Sequence, residues 1–217
     1  MRCVAWGVTA LLGAVALSAG TATAAPIKNG DFERGNLSGW SKSFYPSAAC
    51  GRWFAHSGTY PPPLRGIIGG LPPEPQGEFA AVADQPECAS GQILSQVVKL
   101  RPRSRHRLRF QLAYQNAEPD KPNFVTPPTL GLGVPNQQVR VDVLKAGAPV
   151  RSVQRRHVLD RVFRTESGDP DVRAYRAVKA NLTPFAGRKI RLRFAVVVNL
   201  APIRVGIDAV KIKTKND

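Results

Sequence analysis

Apolar and polar residues alternate along several stretches of this chain with a period of two. That is the spacing of a half-buried β-strand, whose successive side chains point to opposite faces. In Arg105–Asn116, Leu108, Phe110, Leu112 and Tyr114 take one parity and Arg107, Arg109 and Gln111 the other. Gln137–Lys145 repeats the pattern with Val139, Val141 and Val143 against Arg140 and Asp142. Lys189–Asn199 does so with Ile190, Leu192, Phe194, Val196 and Val198 against Arg191 and Arg193. These three segments are expected to be core strands. Weaker alternation marks further strands at Trp53–His56, Glu78–Asp84, Gln92–Leu100, His157–Phe163, Val172–Leu182 and Ile203–Lys213. No apolar stripe at helical spacing persists beyond about two turns, so helices should be few.

Many short strands between Gly, Pro and Asn turn signals predict an all-β antiparallel fold, a sandwich or a barrel. Two connections are long and rich in proline. Thr59–Gly77 holds Pro61, Pro62, Pro63, Pro72, Pro73 and Pro75, and Ala117–Asn136 holds Pro119, Pro122, Pro127, Pro128 and Pro135. Loops of that length in compact domains are usually functional or mobile.

Composition narrows the class. The chain has 217 residues, 43% of them hydrophobic, with 19 Gly and 19 Pro, which excludes disordered and fibrous chains. At its start, Arg2, an apolar run from Val4 to Leu17 and the small residues Ala22-Thr23-Ala24 form the three parts of a secretory signal peptide. The run is too short for the roughly 20 residues of a transmembrane helix. Cleavage after Ala24 is expected, giving a leader at 1–24 and a single domain at 25–217, secreted or held in the cell envelope. Cys3 leaves with the leader. Cys50 and Cys88 remain, in an oxidising compartment, and are expected to form a disulfide.

Lys and Arg number 31 against 15 Asp and Glu, a formal charge of +16. Arg107, Arg109, Arg140, Arg191 and Arg193 all take the parity opposite the core. If their three strands are neighbours, one face is an arginine field that attracts anionic partners such as acidic polysaccharides, wall polymers or phospholipid headgroups. The alternative is the solvated surface of a basic protein. Export argues against nucleic acid as the partner.

The sequence contains no GxSxG, HExxH or P-loop motif. His56, His106 and His157 are scattered, with His157 and Asp160 a candidate surface pair. A glycosidase would need two carboxylates across one bond; Glu78, Asp84 and Glu87, near Cys88, have no distinguishing context.

The opening Asn29-Gly30-Asp31-Phe32-Glu33, followed by Leu37-Ser38-Gly39-Trp40, resembles the start of galactose-binding-like β-sandwich modules, including carbohydrate-binding modules of the family 4/9 type. Ile190–Val198 followed by Val205-Gly206-Ile207-Asp208-Ala209-Val210 is similar to their final pair of strands. The resemblance implies a two-sheet jelly-roll sandwich whose first strand carries the opening motif. It also implies a structural calcium held by Glu33 and Asp208 carboxylates and the Gly30 carbonyl, with Asp31 a weaker candidate, the oxygen donors a hard cation requires. Here Ala209 follows Asp208 where a second acidic residue is common. Trp40 is expected in the core.

The function expected is that of a secreted, non-catalytic module for a carbohydrate or cell-wall polymer. Aromatic rings of Trp53, Tyr60 and Phe124 would stack on sugar, and the amides of Gln115, Asn116 and Asn199 would bond hydroxyls; anchoring loops and satisfying turns are the alternative roles. A hydrolase acting on an extracellular polymer, and an envelope protein adhering through a basic face, are the competing readings.

Overall fold

The computed structural model describes residues 27–61, 70–84, 88–117 and 122–216. The expected leader and Glu87 lie outside them. Ten strands form: β1 Ser41–Tyr45, β2 Arg52–His56, β3 Ala80–Asp84, β4 Ser90–Lys99, β5 Ser104–Asn116, β6 Gln137–Lys145, β7 Val158–Arg164, β8 Val172–Asn181, β9 Lys189–Val198 and β10 Ile203–Asn216. The helical structure among the described residues is two single 3-10 turns, Ala48–Cys50 and Thr183–Phe185. The strands assemble into two antiparallel five-stranded sheets, a jelly-roll sandwich. Sheet I has the order β1-β4-β9-β6-β7 and sheet II the order β2-β3-β10-β5-β8.

Period-two alternation decides what lies between the sheets. Ile190, Leu192, Phe194, Val196 and Val198 of β9 meet Val139, Val141 and Val143 of β6 and Leu108, Phe110, Leu112 and Tyr114 of β5 in one core. The rings of Phe110 and Phe194 meet edge to face at 5.2 Å across it, a favoured aromatic geometry. The opening segment closes one end. Trp40 is 7% exposed, donates from its indole nitrogen to the Asn29 carbonyl, and packs against Phe32 and Phe194. Residues Asn29–Glu33 are a turn rather than the expected first strand, with Asn29 and Phe32 at positive φ. Phe32 is fully buried, so the motif supplies a core plug and not a ladder. The first strand is β1, whose Ser-Lys-Ser alternation carries no apolar signal.

Both outer faces are partly roofed by connections. On sheet I, Ile93, Ala195 and Val197 gather Leu130, Tyr45, Leu132, Val150 and Val153 into a second apolar cluster. On sheet II, Val82 and Ala113 gather Leu71, Phe54 and Tyr175 into a third. Gly91 is required where Tyr45 crosses β4, because a Cβ there would lie 1.9 Å from the tyrosine ring. Cys50 and Cys88 form a disulfide closing 38 residues, which stabilises by about 3–4 kcal/mol on chain-entropy grounds. No helix among the described residues is long and apolar enough to cross a membrane.

Candidate functional site

The five arginines do not share a face. β6 and β9 are neighbours in sheet I, but β5 belongs to sheet II, so Arg107 and Arg109 stand on the opposite side of the molecule from Arg140, Arg191 and Arg193. Parity reads which side of a strand a residue occupies; sheet membership depends on pairings between distant segments.

The sheet I arginines build a scaffold. Arg140 and Arg193 are 3% and 0% exposed and grip Asp142 from both sides. Arg140 bonds it through Nε at 2.8 Å and Nη2 at 2.7 Å, and Arg193 through Nη2 at 2.5 Å. Burial pulls the Arg193 pKa below its ordinary value, and the Asp142 carboxylate opposes that shift. The remaining donors reach the connection between β6 and β7. Arg193 Nη1 donates to the carbonyls of Val150 and Ser152, both at 2.7 Å, and Arg191 Nη1 to that of Ala148 at 2.7 Å. The Arg151 guanidinium lies 4.7 Å over the Tyr45 ring. His157 bonds the Ser152 hydroxyl at 2.7 Å through Nδ1, which occupies the group that the sequence paired with Asp160. Residues 148–152 thus form a strap fixed across sheet I.

Beside the strap the same face opens into a groove of about 390 Å³. Ser41 and Ser43 of the edge strand β1, Ser95 and Val97 of β4, Arg191 of β9, and Ala148, Pro149 and Val150 of the strap line it, together with Lys42. Register explains the grouping, since Ser41 pairs with Ser95, and Val97 pairs with Arg191. Val97 is 47% exposed although its strand is otherwise largely buried. Each hydroxyl can both donate and accept, and Val97, Pro149 and Val150 offer an apolar surface among them. None of the described lining residues is acidic. A hollow of about 450 Å³ that shares Ala148 is lined also by Lys145, Gly147, Arg156 and His157.

The six residues expected to contact sugar differ in exposure and in the partners they hold. Trp53 is 2% exposed and part of the core, while Phe54, its neighbour in the strand, points outward to the third cluster. Phe124 is 1% exposed and meets Tyr114 edge to face at 5.5 Å. Tyr60 is 54% exposed. The Asn116 amide donates to the Asn123 carbonyl at 2.9 Å and accepts from Gln137 Nε2 at 2.7 Å. Asn199 accepts from the Asn136 amide at 2.7 Å and donates to the carbonyls of Leu132 and Val134. These two amides fasten the long 117–136 connection. Gln115 is half-buried on sheet II, opposite Arg204.

The residues expected from the resemblance to hold calcium also make contacts within the protein. The Gly30 carbonyl accepts from the Val210 amide at 2.7 Å, and both Glu33 oxygens accept from the Glu78 amide, Oε1 also from that of Phe79. Asp208 is fully buried, its Oδ1 accepts from the Ala209 amide at 2.5 Å, and the Gln76 backbone also lies against the carboxylate. No group of three or more His, Cys, Asp and Glu among the described residues is placed to hold a metal ion. Burial, with Glu33 and Asp31 nearby, raises the Asp208 carboxyl to a pKa of about 7. Asp84, buried, pairs with Arg204 at 3.3 Å.

No protein-family model matches the chain, and no curated protein matches it. Solved structures do. The carbohydrate-binding module TmCBM61, in complex with β-1,4-galactotriose, is 15% identical with a TM-score of 0.50; the match covers 87% of this chain and 97% of that module. The K3 cleaved adhesin domain of Lys-gingipain from Porphyromonas gingivalis is 14% identical with a TM-score of 0.50, covering 88% and 98%. At such identities the likeness is one of fold: the chain has the two-sheet β-sandwich fold of these two domains.

Proposed function

We propose that this protein is a non-catalytic polysaccharide-binding module, working outside the cytoplasm, that seats a sugar chain in the groove of sheet I. The observation that carries the reading is the lining itself. Hydroxyls of Ser41, Ser43 and Ser95 and the Arg191 guanidinium surround the apolar surface of Val97 and Pro149. A pyranose presents the complementary pattern, hydroxyls around its edge and C–H groups on its faces, and small-ligand sites combine apolar surface with a few fixed polar groups in the same way. The strap, tied to sheet I by three arginine-to-carbonyl bonds, keeps one wall in place before binding, which lowers the ordering cost. A lining of hydroxyls, apolar surface and the basic Lys42 and Arg191, with no carboxylate among them, favours binding over glycoside hydrolysis, which uses paired carboxylates. The disulfide accords with an oxidising compartment, and the galactotriose complex of TmCBM61 is the precedent for a saccharide on this fold.

Calorimetric titration with galacto-, xylo- and cello-oligosaccharides tests this. Val97 is well exposed, so Val97→Glu should fold normally while placing a hydrated carboxylate on the groove floor. At least a tenfold loss of affinity is expected for the oligosaccharide that binds the unmodified protein. Equal binding by the variant would place the site elsewhere, and no binding to any glycan would remove the reading.

A further inference from the structure

We propose that the outer face of sheet II, at the end where β5, β8 and β10 lie together, is a separate surface for a linear acidic polysaccharide. The register builds it row by row. Lys179 of β8, Arg109 of β5 and Lys211 of β10 stand side by side, and the next row holds Asn181, Arg107 and Lys213. Lys215 follows, opposite Arg105. Leu108, Phe110, Val178, Ala180 and Ile212 occupy the alternate positions and pack on the core, so the basic side chains share the outward face. Arg107, Lys179, Lys211, Lys213 and Lys215 are exposed and Arg109 is half-buried.

Like charges directly opposite one another in a sheet are destabilising, so a three-strand row of cations is a cost to the fold that a bound polyanion would relieve. Neighbouring strands lie about 4.8 Å apart and alternate residues along a strand about 6.8 Å apart. The array is therefore a flat lattice of positive charge, roughly 10 Å by 14 Å, matched to a chain with a negative group on each repeating unit. Its composition separates the classes of polyanion. The exposed large apolar residues of the described chain are Phe44, Tyr60, Val97, Val134, Val172 and Leu200, none of which stands in these rows. The array thus lacks the aromatic platforms on which single-stranded bases stack, and the apolar side chains that enter a bilayer interface. An acidic polysaccharide needs neither.

The test is titration of the purified protein with polygalacturonate across a salt series, beside Lys179→Gln/Lys211→Gln/Lys213→Gln and a control of equal charge change, Arg34→Gln/Arg155→Gln/Arg156→Gln. The array variant should bind at least tenfold more weakly at low salt. Its slope of log affinity against log salt should be smaller by roughly two to three, because a surface with three fewer cations displaces fewer counterions from the polyanion. The control should stay within threefold of the unmodified protein. Equal losses in both variants would mean that net charge alone drives binding, and no loss in the array variant would place the polyanion elsewhere; either overturns the proposal. Tighter binding to single-stranded DNA, or to vesicles containing phosphatidylglycerol, than to polygalacturonate would also overturn it. The array variant should keep the oligosaccharide affinity of the sheet I groove, and Val97→Glu should keep binding polygalacturonate, so the two surfaces fail independently.

Discussion

Asp208 shows how a residue's role follows from its surroundings. It lies beside the opening segment, where Gly30 and Glu33 accept from backbone amides, and it is fully buried near the Glu33 and Asp31 carboxylates. Burial favours its neutral form and raises its pKa to about 7. An acid whose pKa rises on folding binds its proton more tightly in the folded state. Its contribution to stability is therefore fullest below the unfolded value near 4 and falls as pH rises through about 7. Asp208→Asn should melt close to the unmodified protein at pH 5 and several degrees above it at pH 8. A variant that melts lower at both would show that the charged carboxylate stabilises the fold, and a rise in melting temperature with added calcium, lost in that variant, would bear out the expected calcium. At this scale the sequence was a partial guide. It identified Trp40 as core, but Asn116, Asn199, Phe124 and Trp53 have the same residue types whether they hold a loop, fill a core or touch a ligand. Only their partners tell these apart.

Among the elements, the strap of residues 148–152 is the least legible and the most consequential for the groove. Nothing in Ala-Pro-Val-Arg-Ser announces that three of its carbonyls will be caught by arginines some 40 residues on. Arg191 and Arg193 read as outward on β9, which they are; that outward meant under a strap depended on where a connection folds back. Arg191→Met keeps the alkyl stem and removes the bond to Ala148. Amide hydrogen exchange in 147–152 should quicken about tenfold, the equivalent of ~1.4 kcal/mol for one charge-assisted bond, with core strands unchanged. Unaltered exchange there would show that the cation–π contact of Arg151 and the Arg193 bonds suffice. The strands themselves were legible wherever one face is buried. β5, β6 and β9 stand at or within a residue of their expected bounds, because alternation is dictated by the core on one side. β1 was not, since an edge strand of Ser-Lys-Ser-Phe-Tyr buries little on either face.

Across the whole molecule, the division of strands between sheets separates two chemistries. Sheet I uses Arg140, Arg191 and Arg193 internally, with Asp142 and the strap, and presents a hydroxyl-lined groove. Sheet II leaves a cationic lattice in solvent at one end and roofs the other with Leu71. The chain's charge of +16 foretold a basic surface but not its address, which is fixed by the pairing of β5 with β8 and β10. That pairing joins residues at least 57 positions apart, as Gln115 and Val172 are (172 − 115), beyond the reach of any local pattern. The groove of sheet I is the central claim, and mapping amide shifts by nitrogen–proton correlation NMR during titration with the best-binding neutral oligosaccharide, at high salt, tests it most directly. The account expects the perturbed amides to cluster at residues 41–43, 95–97, 148–150 and 191. Shifts confined to sheet II or to the 117–136 connection, with these residues unmoved, would contradict it.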